Sequence, residues 1–130
     1  MSLPEKTFQD QIIALAKRMG VLVYHTYDSR RSVRGFPDLV IVGARGVLWR
    51  ELKTDTGRIS ADQKHWIESL RAAGCDADVW RPSKDWPTRV QREIAALGRL
   101  NTRPPVPSQA QIRKQLAKRS NGTDFFPPSP

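Results

Sequence analysis

Apolar residues recur at helical spacing near the start of the chain. Phe8, Ile12, Leu15, Ala16 and Met19 fall on one face, and Gly20 stands where such a helix would stop. The pattern predicts an amphipathic helix over residues 5–19. The period then changes. Val21 to Tyr27 is β-branched and aromatic, which predicts a strand, and residues 28–36 (DSRRSVRGF) read as a polar loop. Leu39–Val42 is a continuous apolar run of strand length, Gly43-Ala-Arg-Gly46 a tight turn, and Val47–Lys53 its hairpin partner. Ser60-Ala-Asp-Gln63 has the spacing of a capping box and so predicts a helix start. Trp66, Ile67, Leu70 and Ala73 form the apolar face of that helix, and Gly74 its end. Ala77–Arg81 reads as a short strand stopped by Pro82. Trp86-Pro87 opens a last helix with Val90, Ile94 and Leu97 on one side.

The expected order is α-β-β-β-α-β-α, an α/β domain over residues 1–98 with a mixed sheet flanked by helices. From about Leu100 onward, Pro-rich and Ser/Asn/Gly-rich stretches flank one basic segment, Gln109–Lys118. That composition predicts a mobile, basic, proline-rich tail over 99–130 with one helical piece.

Composition narrows the classes. In 130 residues, 38% hydrophobic content and four Trp suffice for a real core. No apolar run approaches the ~20 residues that a membrane span needs. The first residues lack the apolar stretch of a secretory leader, so a cytoplasmic protein without a membrane partner is expected. One cysteine, Cys75, rules out a disulfide framework, and with His25 and His65 as the only histidines a structural zinc site is excluded too. The net charge of +9 points to an anionic partner, but its distribution matters more. Residues 1–98 carry sixteen Lys/Arg against twelve Asp/Glu, and residues 99–130 carry six against one. The folded part is only mildly basic, so charge alone does not place a DNA site there.

The chemistry lies in Gly35-Phe-Pro-Asp38 and Glu51-Leu-Lys53. If the turn centres on Ala44-Arg45, residue 43 faces 46, 42 faces 47, and Asp38 faces Glu51. Their Cβ atoms would then stand about 4.5–5.5 Å apart on one face of the hairpin. Lys53, two residues on, points the same way. Three charged side chains would thus converge at one end of an otherwise apolar hairpin. Carboxylates so close repel unless a cation lies between them. Oxygen ligands, with the backbone carbonyl of Leu52 between them, suit Mg²⁺ or Mn²⁺ rather than zinc. Such an ion polarises a phosphoryl oxygen and activates water, and Lys53 would steady the developing charge. These are parts of a metal-dependent phosphodiester hydrolase, with no small-molecule cofactor. The arrangement fails if the register slips by one residue. Taken separately, Pro-Asp and Glu-x-Lys are common, and each alone reads as a turn residue or an exposed ion pair.

The ordered set FQDQIIALA, GFPDLVIV, ELKTDTGRISADQKHW, LRAAG and VWRPSKDW resembles the PD-(D/E)XK nuclease superfamily, and within it a stand-alone VRR-NUC domain of the phage and mobile-element type. The resemblance covers roughly residues 5–95. It implies a restriction-endonuclease-like core, metal binding by Asp38 and Glu51, a catalytic role for Lys53, and Gln63 beside the site. It also implies a further ligand from the first helix, for which Glu5 and Gln9 are the two candidates. Stand-alone members resemble Holliday-junction resolvases. That implies a homodimer acting on branched DNA, a junction or a flap, in a bacterial or phage-infected cell.

Around this set, Arg30, Arg31 and Arg34 are candidates to grip phosphates, as are Arg58, Lys64 and the tail residues Arg113, Lys114, Lys118 and Arg119; solvated charge is the alternative for each. His25 reads as a satisfied structural histidine, His65 as surface, Trp49 as sharing the face of Glu51, and Trp66, Trp80 and Trp86 as core. Cys75 reads as inert. Two other functional classes stay open: a non-catalytic DNA-binding protein, and an accessory subunit of a recombination or replication assembly.

Overall fold

The computed structural model describes residues 3–27, 33–101 and 108–120. Helix α1 (Glu5–Arg18) is followed by β1 (Leu22–His25), β2 (Leu39–Gly43) and β3 (Gly46–Leu52), then α2 (Ala61–Ala72), β4 (Asp76–Trp80), α3 (Pro82–Asp85), α4 (Thr88–Leu97) and α5 (Gln109–Ser120). The expected order holds with one addition, and the helical piece expected in the tail is present. Pro82 stops the strand but also opens the one-turn helix α3, at a position where its missing N–H costs nothing. The basic segment of the tail forms α5. Residues 102–107 and 121–130, and with them the expectation of mobility there, lie outside the described residues.

The four strands lie in the order β1-β2-β3-β4. β1–β2 and β2–β3 are antiparallel, and β3–β4 is parallel, with α2 as the crossover. The sheet is mixed and flanked by helices, as expected. Phe8, Ile12, Leu15 and Ala16 of α1 and Val90, Ile94 and Leu97 of α4 are buried with Leu39, Ile41, Leu48, Leu52 and Trp80 in one core. The larger aliphatic and aromatic side chains among them each contribute about 1.5–3 kcal/mol on burial. α1 ends in a Schellman motif, with Gly20 N–H on Lys17 O and Val21 N–H on Ala16 O.

The hairpin turn is docked as well as tight. The N–H of Ala44 donates to Gly98 O and that of Arg45 to Leu97 O. The Arg45 guanidinium donates to Ala96 O, placing a cation at the C-terminus of α4. A Cβ on Gly43 would stand 2.6 Å from Gly98 O, so only glycine lets the turn approach so closely.

One expectation needs correction: the hairpin is not otherwise apolar. Arg50 alternates with Leu48 and Leu52 and faces the core, where it is 1% exposed. Its guanidinium bonds Asp76 O (2.7 Å), Asp76 Oδ1 (2.9 Å) and Glu93 Oε1 (3.0 Å), and lies over the Trp80 ring. Glu93 also accepts from Trp80 Nε1 (2.8 Å) and, at its other oxygen, from Arg89 Nε (2.8 Å). A buried cation is tolerable only with such complete pairing. Glu93→Ala would leave Arg50 and the Trp80 N–H without their shared acceptor. We expect a loss of about 3–5 kcal/mol, measured by urea unfolding, and a much smaller loss for Glu93→Gln, which keeps an acceptor oxygen.

Candidate active site

The hairpin carries Asp38 and Glu51 to its open end. The observed pairs, Gly43 with Gly46 through Leu39 with Arg50, are those anticipated, and one step further Asp38 meets Glu51. Glu5, the first residue of α1, completes a cluster in which three carboxylates bring oxygens within 4.8 Å of one another. Of the two candidates on α1, Glu5 is thus the one in the acidic cluster. Gln9 sits one turn on, half-buried. Lys53 follows β3, its N–H bonded to Trp80 O (3.1 Å), and its charge acts on both Glu5 and Glu51.

Neighbouring groups fix each carboxylate. Asp38 Oδ2 accepts the N–H of Leu52 (2.8 Å), and its own carbonyl accepts the N–H of Thr26 (3.0 Å). Gln63 does two things at once. As N3 of α2 it closes the predicted capping box with Ser60, its Oε1 accepting the Ser60 N–H (2.9 Å) and its N–H donating to Ser60 Oγ (3.1 Å). Its Nε2 then donates to Glu51 Oε1 at 2.9 Å. Glu51 is 2% exposed, and its second oxygen, Oε2, is buried with no hydrogen-bond partner among the described residues. Burial, with Asp38 beside it, pushes the Glu51 carboxyl up to about 9. Burial and Asp38 raise Glu5 as well, while Lys53 pulls both down. An unpaired buried carboxylate oxygen among three crowded acids is an environment that a cation would relieve. The all-oxygen donor set fits a hard divalent ion.

The Gly-Phe-Pro-Asp run has a reason at each position. Gly35 has φ +86°, and a Cβ there would lie 2.4–2.7 Å from the backbone of Asp62 and Gln63. The loop therefore lies directly on the first turn of α2. Phe36 packs edge-on against Trp66 (5.1 Å), whose indole N–H donates to Arg34 O (3.1 Å). Pro37 is buried, and Asp38 follows into the cluster.

The remaining candidates divide. Arg34, Arg58 and Lys64 are exposed, and Lys64 stands 3.9 Å from Glu68. Arg30 and Arg31 lie outside the described residues. Trp49 pairs with Val40 on the Glu51 side of the sheet. Trp80 is core, Trp86 packs edge-on to Phe8, and Trp66 is half-buried as the loop's anchor rather than core. His65 is exposed as expected, and Cys75 is a half-buried free thiol. His25 departs from expectation: it stacks on Tyr27 (4.6 Å), but its Nδ1 is buried without a partner among the described residues.

A model of the VRR-NUC domain family matches residues 2–83, well over half of the chain. Among solved structures, the fold is similar to one described as a VRR_NUC domain protein, at 26% identity and a TM-score of 0.61, over 76% of this chain and 93% of that one. It is similar to a second, described as a VRR_NUC domain, at 23% identity and a TM-score of 0.52, over 72% of this chain and 91% of that one. A further match is Hjc, a Holliday junction resolvase of Archaeoglobus fulgidus, at 24% identity and a TM-score of 0.46, over 60% and 68% of the two chains. No curated protein matches the chain.

Two outcomes follow from this geometry. Folded Glu51 keeps its proton to about pH 9, whereas an unfolded glutamate releases it near 4.5. The folded state binds more protons across that window, so stability in EDTA falls as pH rises through it. The melting temperature should drop by roughly 5 °C or more between pH 5 and pH 8.5, and Glu51→Gln should flatten the profile. Gly35→Ala should cost about 1–3 kcal/mol, from the positive φ and the collision with α2, seen as a lower urea midpoint.

Proposed function

The chain belongs to the VRR-NUC domain family of PD-(D/E)XK-like nucleases, and on that premise we propose that it is a divalent-metal-dependent DNA endonuclease. The observation that carries this reading is the cluster of Glu5, Asp38 and Glu51, with Lys53 beside it and Glu51 Oε2 left bare. Mg²⁺ or Mn²⁺ would be held by Asp38, Glu51 and the carbonyl of Leu52, with Glu5 as the ligand from α1. When bound, the ion supplies Lewis-acid polarisation of the phosphate and activation of water.

The chain's own residues do the rest. The Leu52 N–H holds one oxygen of Asp38, and the Gln63 amide holds one of Glu51, so both carboxylates are aimed before the ion arrives. Lys53 orients the attacking water and steadies the negative charge that grows on the phosphate. Water attacks phosphorus and gives its proton to solvent. The bond from phosphorus to the sugar oxygen breaks, and that oxygen leaves with the bonding pair and takes a proton from solvent. Arg34, Arg58 and Lys64, all exposed, bind phosphates rather than base edges. Arg30 and Arg31 belong to the same proposed contact set.

Recognition through phosphates favours DNA shape over sequence, and we take branched DNA, a four-way junction or a flap, as the substrate. The described residues of one chain hold one acidic cluster. A symmetric junction needs two cuts, which two copies would supply. The sheet face at β1 leaves Leu22 and Tyr24 49% and 62% exposed, and a second copy would cover them. Among the described residues no helix is long and apolar enough to cross a membrane, and we place the protein in the cytoplasm of a bacterial or phage-infected cell, with its DNA.

Labelled duplex, flap and four-way junction DNA, incubated with Mg²⁺, Mn²⁺ or EDTA, test this reading. Cutting should require the metal and favour branched DNA. It should vanish in Asp38→Ala and fall on the order of 10²-fold or more in Lys53→Ala. DNA binding without cutting, unchanged by Asp38→Ala, would make the acidic cluster structural and the protein a binding or accessory factor.

A further inference from the structure

Along β4 at Asp78 and Val79, and at Arg81 just past its end, runs a groove of about 770 Å³ between α2, α3 and α4. Its floor includes Ile59, Ile67 and Val79. Six Lys/Arg side chains line it against three Asp/Glu. The three acids are already engaged. Asp78 accepts from Arg71, Arg89 and the Val79 N–H. Burial alone would raise its carboxyl, but those bonds prevail and hold it below the usual carboxylate range. Asp85 accepts from Arg89 (2.9 Å) and the Arg81 N–H (2.6 Å), and Glu68 faces Lys64. Lys84 and Arg92 are exposed on the groove, and neither has an acidic partner among the described residues. The positive charge that remains is open to a ligand.

Two chain connections tie the groove to the cluster. Lys64, on its wall, follows Gln63, which holds Glu51. Arg81, also on its wall, follows Trp80, the β4 partner of Leu52. The Arg81 guanidinium bonds Thr54 O (2.7 Å) and Gly57 O (2.6 Å), fixing the loop that leaves Lys53. Basic walls over an apolar floor match a chain with phosphates on its outside and bases turned inward. A duplex keeps its bases paired and turned inward, whereas an unpaired strand can lay its bases on an apolar floor.

Resting on the nuclease reading, we propose that this groove holds a single DNA strand, the unpaired arm of a branched substrate, leading away from the acidic cluster. Lys84 and Arg92 neutralise its phosphates. Ile59, Ile67 and Val79 give its bases an apolar floor. Phosphate contacts and an apolar floor read no base edges, so the groove takes strands without regard to sequence.

The test is fluorescence anisotropy in EDTA with oligo-dT, flap and plain duplex DNA, over a salt series. It compares wild type, Lys84→Ala/Arg92→Ala, and a control pair on α1, Lys17→Ala/Arg18→Ala. The groove pair should weaken oligo-dT and flap binding about tenfold and lower the salt slope by about 0.7 per lost contact, while duplex binding and the control hold. Both substituted side chains are exposed, so melting temperatures should match the wild type. Wild-type affinity and slope in the groove pair would overturn the proposal. So would an equal loss on duplex, which would mark a general basic patch. Cleavage by the wild-type protein in Mg²⁺ is scored separately: a protein that binds flaps through the groove but never cuts sinks the nuclease reading and leaves the groove's occupant established.

Discussion

The pairing of Gly43 with Gly46 decides what meets at the other end of the hairpin. Because side chains alternate along a strand, a slip of one residue would send Glu51 to the opposite face and bring Arg50 beside Asp38. The register is held from outside the hairpin as well as within it. Gly98 O and Leu97 O take the two N–H groups of the turn, and Gly43 has no side chain to hold α4 away. The C-terminus of α4 therefore fixes the geometry of an acidic cluster at the far end of the strands it touches. Every later feature, from the Leu52 N–H on Asp38 to the Gln63 amide on Glu51, presupposes that register.

β3 carries two buried ionisable side chains back to back, and their contrast separates stability from function. Arg50 is fully paired, with Asp76, Glu93 and the Trp80 ring around it. Glu51, the next residue, has one amide donor and one bare oxygen. The first arrangement answers the cost of desolvation. The second leaves it standing, so that the carboxyl holds a proton until something better displaces it. A cation bound there competes with that proton, and the proposed metal should bind more tightly as pH rises. Crowding that destabilises the metal-free protein is, on this reading, the source of its affinity.

How much of this was legible in the sequence depended on sequence distance. The hairpin, its turn and the opposition of Asp38 to Glu51 can be counted across the twelve positions between those two residues, because two glycines mark the turn and the strands are short. The capping box at Ser60–Gln63 was equally local. Glu5 could be named only as one of two candidates, since nothing local says which turn of α1 meets the open end of the sheet. Arg50 was missed: its partners lie 26 and 43 residues away, and the one signal was an arginine at an inward position between Leu48 and Leu52. Gly35 stood out as part of a motif, but its contact with the first turn of α2 belongs to tertiary structure. Helical spacing points Trp66 to the core, whereas it anchors a loop.

That loop shows why α2 matters more to the site than its single buried residue, Ile67, suggests. Gly35 rests on its first turn, Phe36 and Arg34 meet its Trp66, and its Gln63 reaches Glu51. Asp38 enters the cluster from that loop and Glu51 from the strand, so α2 sets the separation of the two carboxylates from both sides. A capping side chain is ordinarily worth about 1 kcal/mol to its helix. Here the same amide both closes the box and holds a site carboxylate, so fraying at the N-terminus of α2 would release Glu51 and loosen the seat of Asp38 together. The order of the cluster is then tied to the order of one helical turn, and a strand or ion engaging the cluster would stabilise that turn in return.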